Sequence, residues 1–147
     1  MTRIVEVTDD SGAVVEPDWL AGAESVHRQL RAALPPDYKA KMERVFSGGA
    51  RMCVAVEGNQ VAGVAVYRLF ENTFSGKQLY VDDLVTDERR RSAGVGRDLL
   101  GYLEQKARAA KFDNLSLDSG TQRAQAHKFY FREGLVVTSF HFAKKLA

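Results

Sequence analysis

Residues 84–96 read Leu-Val-Thr-Asp-Glu-Arg-Arg-Arg-Ser-Ala-Gly-Val-Gly, and this stretch organises the fold. An apolar strand runs into a short basic loop, and Gly94 and Gly96 stand where a long helix is predicted to begin. The first N–H groups of a helix have no partner within it, and the helix dipole adds partial positive charge there. Glycines let such a backbone approach a bulky anion closely. The stretch therefore indicates a phosphate or pyrophosphate site.

Two common phosphate-binding patterns do not fit this stretch. A P-loop requires a Lys-Ser/Thr pair after its second glycine, and none is present. A Rossmann fingerprint requires three glycines after a first strand, whereas Gly94 and Gly96 come late in the chain. Four arginines flank the glycines and can add phosphate contacts: Arg89, Arg90, Arg91 and Arg97. A solvated basic loop is the alternative interpretation of these arginines.

Apolar spacing predicts the elements on either side. Before the stretch, it predicts a strand over 3–7, helices over 18–34 and 37–46, and strands over 52–57, 61–69 and 78–86. After it come a helix from Gly94, a buried strand at 115–117, a helix over 123–133 and a final strand or pair over 136–144. Asp18 is the expected N-cap of the first helix, and Gly58-Asn59 predicts a tight hairpin turn. This order predicts a mixed α/β sheet rather than a helical bundle or a β-sandwich.

Composition excludes several classes of protein. The 147 residues, 45% hydrophobic and 27% charged, fit one domain over residues 1–147. The net charge of +2 is too small to imply a nucleic-acid or anionic-membrane partner. No apolar run approaches the roughly 18 residues of a membrane span, and acidic residues interrupt any signal-peptide pattern at the N-terminus. The single Cys53 excludes an internal disulfide and fits the reducing cytoplasm, which is the expected location. The three histidines lack metal-ligand spacing, so no metal is expected.

A second block lies downstream, Ala126-His127-Lys128-Phe129-Tyr130-Phe131-Arg132-Glu133-Gly134-Leu135. Together with Arg91-x-x-Gly94-x-Gly96, it resembles two motifs of the GNAT N-acetyltransferase family, the acyl-CoA loop and the last conserved block. One helix and one strand separate the blocks, as that fold requires, and the resemblance extends over about residues 52–146. It implies a mixed, mostly antiparallel central sheet flanked by helices, with splayed middle strands.

The resemblance also implies an activity and a cofactor site. The activity is the direct transfer of acetyl from acetyl-CoA to a primary amine, with a small-molecule acceptor and no metal. Backbone groups of Leu84, Val85 and Thr86 would pair with pantetheine. The pyrophosphate would meet the loop residues Arg91, Ser92, Ala93, Gly94, Val95, Gly96 and Arg97. Dimers are common in the family, so a homodimer is a further expectation, although no sequence feature indicates its interface.

Three residues are candidates for the catalytic chemistry. Tyr130 matches the family tyrosine that donates a proton to the CoA thiolate, and a phenol is protonated at neutral pH. Its alternative role is that of a core aromatic. Asp82 and Asp83 precede the pantetheine-facing stretch and are expected on opposite faces of their strand. Either carboxylate is a candidate base or a substrate-orienting group, and Glu71 is a further candidate; together these acids suggest a cationic acceptor.

One position departs from the family pattern. Many relatives carry asparagine where this chain has Arg123, so one pantetheine contact is in doubt unless Ser119 or Gln122 replaces it. This departure motivates an alternative function, a catalytically weak CoA-binding module that regulates or binds a protein partner. The intact glycine loop and Tyr130 argue for the enzyme.

Overall fold

The computed structural model describes residues 2–147. Its elements in chain order are β1 (Arg3–Glu6), α1 (Pro17–Leu30), α2 (Tyr38–Ser47), β2 (Ala50–Glu57), β3 (Gln60–Asn72), β4 (Gly76–Thr86), a 3₁₀ turn (Glu88–Arg90), α3 (Val95–Ala109), β5 (Asn114–Leu117) and α4 (Ala124–Arg132). The strands form one sheet in the order β1-β2-β3-β4-β5. Pairs from β1 to β4 are antiparallel, and β5 runs parallel to β4. The predicted mixed, mostly antiparallel α/β sheet is confirmed.

Helices cover both faces of the sheet. Met42 and Phe46 of α2 pack with Val54 and Val64 on one face, in a core that also holds α1. Leu99 and Leu103 of α3 pack on the other face, in a core that includes Ala55 and Ala65. Consecutive residues are buried along most of β2 and along the first half of β3. Since successive strand residues point to opposite faces, both faces of these strands are covered there. None of the helices within residues 2–147 is long and apolar enough to cross a membrane.

The N-terminus of α3 lies directly on β3 at Gly63. A Cβ atom at this position would lie 2.7 Å from Val95 Cγ1 and 2.9 Å from Leu99 Cδ1. Real side chains do not tolerate such distances without movement, so the absence of a side chain at Gly63 permits the close approach. This contact fixes where the first turn of α3 stands relative to the end of β4.

The first helix differs from its prediction at both ends. It begins at Pro17, with Glu16 rather than Asp18 at the N-cap position, because proline is favoured in the first turn. It ends at Leu30 rather than at residue 34. The Arg28 guanidinium donates to the carbonyl oxygens of Leu34 and Pro35, each at 2.6 Å, and so holds the chain beyond the helix in a turn.

The end of the chain also differs from its prediction. Within the described residues, no strand follows α4, so the strand expected over 136–144 does not form in this chain alone. A strand requires a partner for its backbone hydrogen bonds, and here the segment has none. The strand predicted as buried at 115–117 forms over 114–117, and its residues 115–117 are only partly buried because it is the edge of the sheet.

Strands β4 and β5 separate after four paired residues. Their ladder runs from Gln78↔Asn114 to Val81↔Leu117, and β4 then continues alone on this side to Thr86. On its other side, β4 stays paired with β3 as far as Gly63↔Thr86. The expected splay of the middle strands is therefore present.

Candidate active site

The unpaired edge of β4 is the first part of the site. Residues 83–86 pair with β3 at Val66, Ala65, Val64 and Gly63. Successive backbone groups of a strand point alternately to its two sides, and beyond Val81 the β5 side pairs with no strand among residues 2–147. Leu84, Val85 and Thr86 thus present backbone donors and acceptors to a gap. An extended chain with amide groups can bind there in the manner of an added strand.

A buried carboxylate anchors the turn that follows this edge. Asp87 is 0% exposed, and its N–H donates to the carbonyl of Ala62 at 2.8 Å. Its carboxylate accepts hydrogen bonds from the backbone and side chain of Arg89 and from Gln29. These bonds, that of the Arg89 side chain foremost, hold the pKa of Asp87 at about 2 against the opposing effect of burial. The charged carboxylate therefore fixes the 3₁₀ turn at neutral pH.

The turn opens onto the uncapped N-terminus of α3. Gly94 occupies the N-cap position with φ of +84°, a left-handed conformation that favours glycine, and no side chain caps the helix. A Cβ atom at Gly94 would meet nothing within 4 Å, so the backbone here faces open space. The N–H groups of Val95, Gly96 and Arg97 stand in the first helical turn, where an anion finds both donors and positive dipole charge.

The four arginines of this loop divide into two pairs. Arg89 binds Asp87 at 2.9 Å, and Arg90 binds Glu57 at 2.5 Å. Arg91 and Arg97 are exposed, and neither forms an ion pair with any described residue. Only the second pair is therefore available to a bound phosphate without breaking an existing contact, and these are the two arginines that the resemblance implicates.

Helix α4 brings Tyr130 to the same region. A Cβ atom at Gly96 would lie 3.4 Å from Thr86 Oγ1 and 3.5 Å from the Phe129 ring, so the end of β4, the first turn of α3 and α4 meet there. Tyr130 is half-buried beside Phe129. Burial raises the pKa of the Tyr130 phenol, and the charge and hydrogen bond of Arg123 only partly offset this effect. The phenol is therefore protonated at neutral pH.

The segment between β5 and α4 holds a buried hydroxyl without a partner. Ser119 Oγ is shielded from solvent and has no hydrogen-bond partner within residues 2–147. Such a group costs about 1–3 kcal/mol unless a ligand satisfies it. The sequence singled out Ser119 as a substitute for the missing asparagine contact, and an amide of pantetheine would supply the missing partner. Arg123 acts electrostatically on Tyr130, where its charge lowers the pKa of the phenol.

The two aspartates lie on one side of the sheet, not on opposite sides as expected. The β3–β4 ladder shifts register between Val66↔Asp83 and Tyr67↔Val81, so Asp82 is the extra residue of a β-bulge. The bulge interrupts the alternation of side chains. Asp83 contacts His27 of α1, and Asp82 contacts Arg68, which also donates to the Gly48 carbonyl at the end of α2. Both carboxylates therefore face the α1/α2 side.

Asp83 belongs to a buried network that sequence analysis missed. Its Oδ2 lies 2.7 Å from His27 Nε2, and Arg31 Nε donates to Oδ1 at 2.8 Å. His27 is 1% exposed, and its Nδ1 lies 2.8 Å from the Tyr38 hydroxyl. Burial raises the pKa of Asp83, but the hydrogen bonds and charges of His27 and Arg31 outweigh it, so the pKa lies below its ordinary value. His27 and Arg31 stand four residues apart within the helix predicted over 18–34, and this spacing was the signal available in the sequence.

The other acidic and metal-binding candidates do not join this group. Asp82 binds Arg68 at 2.7 Å. Glu71 is exposed at the far end of β3, opposite Lys77 and close to the β3–β4 turn. Within residues 2–147, no three His, Cys, Asp or Glu side chains cluster as a metal site requires. Burial raises the pKa of the Cys53 thiol, which is thus not activated as a nucleophile.

Comparison with known proteins gives partial sequence matches. An uncharacterised N-acetyltransferase of Bacillus subtilis (strain 168) is 43% identical over 70 residues, which cover 47% of this chain and 49% of the relative. An aminoalkylphosphonate N-acetyltransferase of Salmonella typhimurium (strain LT2) is 35% identical over 66 residues, which cover 45% of this chain and 43% of the relative. The chain thus spans about half the length of the curated relatives it matches.

Solved structures share the fold over the whole chain. The aminoglycoside N-acetyltransferase AAC(6')-Iy in complex with CoA has a TM-score of 0.83 at 13% identity, covering 99% of this chain and 95% of its own. A ribosomal-protein-alanine N-acetyltransferase from Brucella melitensis has a TM-score of 0.80 at 13% identity, covering 100% of both chains. Residues 19–134, most of the sequence, match the family described as Acetyltransferase (GNAT). On this match, the chain belongs to the acetyltransferase (GNAT) family.

Proposed function

We propose that the protein is an acetyl-CoA-dependent N-acetyltransferase that moves an acetyl group directly to a primary amine of a small molecule. The observation that carries the proposal is the open edge of β4 at residues 84–86, followed after the 3₁₀ turn by the uncapped first turn of α3. It matches a ligand that has an amide chain at one end and a pyrophosphate at the other. A structure of the same fold was solved with CoA.

Each part of the proposed cofactor site has a separate role. Leu84, Val85 and Thr86 bind the pantetheine chain through the open edge of β4, and Ser119 Oγ satisfies one of its amides. The pyrophosphate binds at the turn and first helical turn formed by Arg91, Ser92, Ala93, Gly94, Val95, Gly96 and Arg97. Their N–H groups are its donors, except that of Ala93, which donates to the Arg90 carbonyl at 3.3 Å. The side chains of Arg91 and Arg97 add charge because no acid within the described residues engages them.

Acetyl-CoA supplies an activated thioester, and Tyr130 holds the proton that the departing thiolate needs. Burial keeps the phenol protonated, which is the form a proton donor requires. The positive charge of Arg123 lowers the pKa of the same hydroxyl, so it would stabilise the phenolate that remains after donation. Arg123 thus takes on a role at the reacting end of the site.

Asp83 orients the acceptor rather than serving as its base. A carboxylate whose pKa lies below its ordinary value accepts a proton weakly, and Asp83 already accepts from His27 and Arg31. A carboxylate with four lone-pair sites retains room for an ammonium or an amine N–H. Asp82, on the same side, is engaged by Arg68 and contributes less directly.

The acceptor class follows from the charges beside the bulge. Asp83 is paired with Arg31, and Asp82 is paired with Arg68, so the net charge on this side of the sheet is close to neutral. A purely cationic acceptor would favour a strongly negative surface, which these pairs do not provide. Arg31 is 51% exposed and can bind an anion. We propose a small primary amine that also carries an acidic group, a class that includes the substrate named for the Salmonella relative. A cytoplasmic location is also proposed, supported by the lone, buried Cys53.

The test compares three proteins in acetyl-CoA binding by calorimetry: the wild type, Gly94→Glu and Gly94→Gln. Both variants carry the same strain at positive φ and nearly the same volume, but only glutamate places a carboxylate where the pyrophosphate is proposed. We expect wild-type binding, a loss of at least about tenfold more affinity in Gly94→Glu than in Gly94→Gln, and acetyl transfer to aminoalkyl acids in preference to simple diamines.

The outcomes separate the enzyme from its alternative. Binding without transfer across both groups of amines would favour a CoA-binding module that regulates or binds a partner. Absence of acetyl-CoA binding by the wild type would overturn both functions. Equal losses in the two Gly94 variants would refute a pyrophosphate at this turn.

A further inference from the structure

The 3₁₀ turn between β4 and α3 is held by contacts from two other segments of the chain. At its end, the Arg90 guanidinium binds Glu57 and donates to Gln60 Oε1 at 2.9 Å, and both partners belong to the β2–β3 hairpin. At its start, the turn is bound by the side chain of Gln29, which lies in the last turn of α1. The turn is therefore attached to the hairpin at one end and to α1 at the other.

The side-chain amide of Gln29 makes two hydrogen bonds to the start of the turn. Its Oε1 accepts from the backbone N–H of Glu88 at 2.9 Å, and its Nε2 donates to Asp87 Oδ1 at 3.2 Å. A backbone N–H can only donate and an ionised carboxylate can only accept, so these partners require an oxygen on one side and an NH₂ group on the other. An amide provides both groups, which a carboxylate or a thioether does not.

The same helical turn of α1 also contacts Asp83, on the acceptor side of the proposed site. His27 and Arg31 bind the Asp83 carboxylate, and Gln29 lies about 200° around the helix from each of them. Opposite sides of one helical turn thus reach Asp83 and the 3₁₀ turn. Because the contacts are made by different side chains, a change at Gln29 removes the second set and leaves the first in place.

We propose that Gln29 is a positioning residue for acetyl-CoA, because its amide sets the direction in which the chain leaves β4 and enters the turn before α3. This role rests on the proposed function, since the N–H groups that follow the turn are the donors assigned to the pyrophosphate. Asp87 is fully buried and keeps bonds of its own, including that from its N–H to the Ala62 carbonyl at 2.8 Å. The turn therefore stays folded without Gln29, which determines its position.

Two substitutions separate the loss of hydrogen bonds from the addition of charge. Gln29→Met keeps the length of the side chain and removes both bonds. Gln29→Glu keeps an acceptor for the Glu88 N–H but places a second carboxylate against Asp87, whose pKa of about 2 leaves it charged at neutral pH. The matched control is Gln105→Glu, the same change at an exposed position about three turns along α3 from its N-terminus.

Calorimetry with acetyl-CoA at pH 7 measures the effect on the cofactor. We expect the dissociation constant to rise about fivefold in Gln29→Met and at least about twentyfold in Gln29→Glu, and to keep its wild-type value in Gln105→Glu. Because the contacts to Asp83 remain, kcat for an aminoalkyl acid at saturating acetyl-CoA should be unchanged in Gln29→Met, and its Tm should fall by less than about 2 °C. An unchanged dissociation constant in Gln29→Met, or a fall in kcat as large as the loss of affinity, would overturn the proposal.

Amide hydrogen exchange, followed for single residues by NMR, tests the contact in the absence of cofactor. In Gln29→Met, exchange of the Glu88 amide should become at least about fivefold faster. The Arg90 amide, which donates to the Asp87 carbonyl at 2.8 Å, should keep its rate. Faster exchange of both amides would mean that the turn unfolds, and an unchanged rate at Glu88 would mean that Gln29 does not hold it; either result contradicts the proposal.

The two measurements also separate this proposal from the proposed function. A wild type that binds no acetyl-CoA would overturn the proposed function and, with it, the role of Gln29 in cofactor binding, even if exchange at Glu88 confirmed the contact. A wild type that binds acetyl-CoA as tightly as Gln29→Met does would overturn the role of Gln29 alone.

Discussion

Replacing Asp83 with asparagine tests whether the buried network holds α1 against the sheet. The carboxylate accepts at 2.7 Å from His27 and at 2.8 Å from Arg31, and its side chain is 13% exposed. Hydrogen bonds to charged groups contribute about 1.5–3 kcal/mol each, and asparagine preserves the volume and part of the bonding. We expect Asp83→Asn to lower the free energy of unfolding by about 2 kcal/mol at pH 7, measured by urea denaturation. This corresponds to a fall in Tm of about 4–8 °C.

The pH dependence of this difference has a definite sign. The pKa of Asp83 is depressed in the folded protein, so its contribution is full above the ordinary value of 3.8 and is lost as pH falls through the folded pKa. The gap between wild type and Asp83→Asn should therefore shrink as the pH falls below 3.8. The control is Asp82→Asn, whose carboxylate and Arg68 partner are 26% and 36% exposed and should contribute less than about 1 kcal/mol. Equal losses in the two variants would refute the reasoning.

Two further changes test the packing of α3 against β3 and the proposed proton donor. Gly63→Ala should destabilise the protein by about 1–3 kcal/mol in urea, because the added methyl overlaps Val95 and Leu99. The control is Gly101→Ala, within α3, where the new methyl has no neighbour, and it should stabilise the protein by about 0.5–1 kcal/mol. A Gly63→Ala variant as stable as the wild type would contradict the close contact. Tyr130→Phe should lower kcat about a hundredfold with acetyl-CoA affinity retained, whereas Tyr102→Phe, which removes a hydroxyl bonded to Glu6, should leave kcat unchanged. An unchanged kcat in Tyr130→Phe would remove the tyrosine from the mechanism.

The sequence by itself determined those elements that are specified by residues close together in the chain. The glycines at 94 and 96 and the apolar stripe of α3 each lie within a short stretch of sequence, and the helix formed where it was expected. The same is true of the strand–turn–helix that forms the proposed pyrophosphate site. Helix periodicity and turn chemistry act over about one to four residues, so a single sequence contains them.

Tertiary structure decided the features that depend on register and distant partners. The bulge at Asp82 arises from how β3 and β4 align, and it turned two carboxylates expected on opposite faces to the same side. His27 meets Asp83 across 56 positions, and Arg90 is drawn to Glu57, so neither pairing is visible in local spacing. The tail at 136–147 has the alternation of a strand, yet it remains unpaired in one chain. Alternation specifies which face is apolar, but a strand forms only where an open edge supplies its hydrogen bonds.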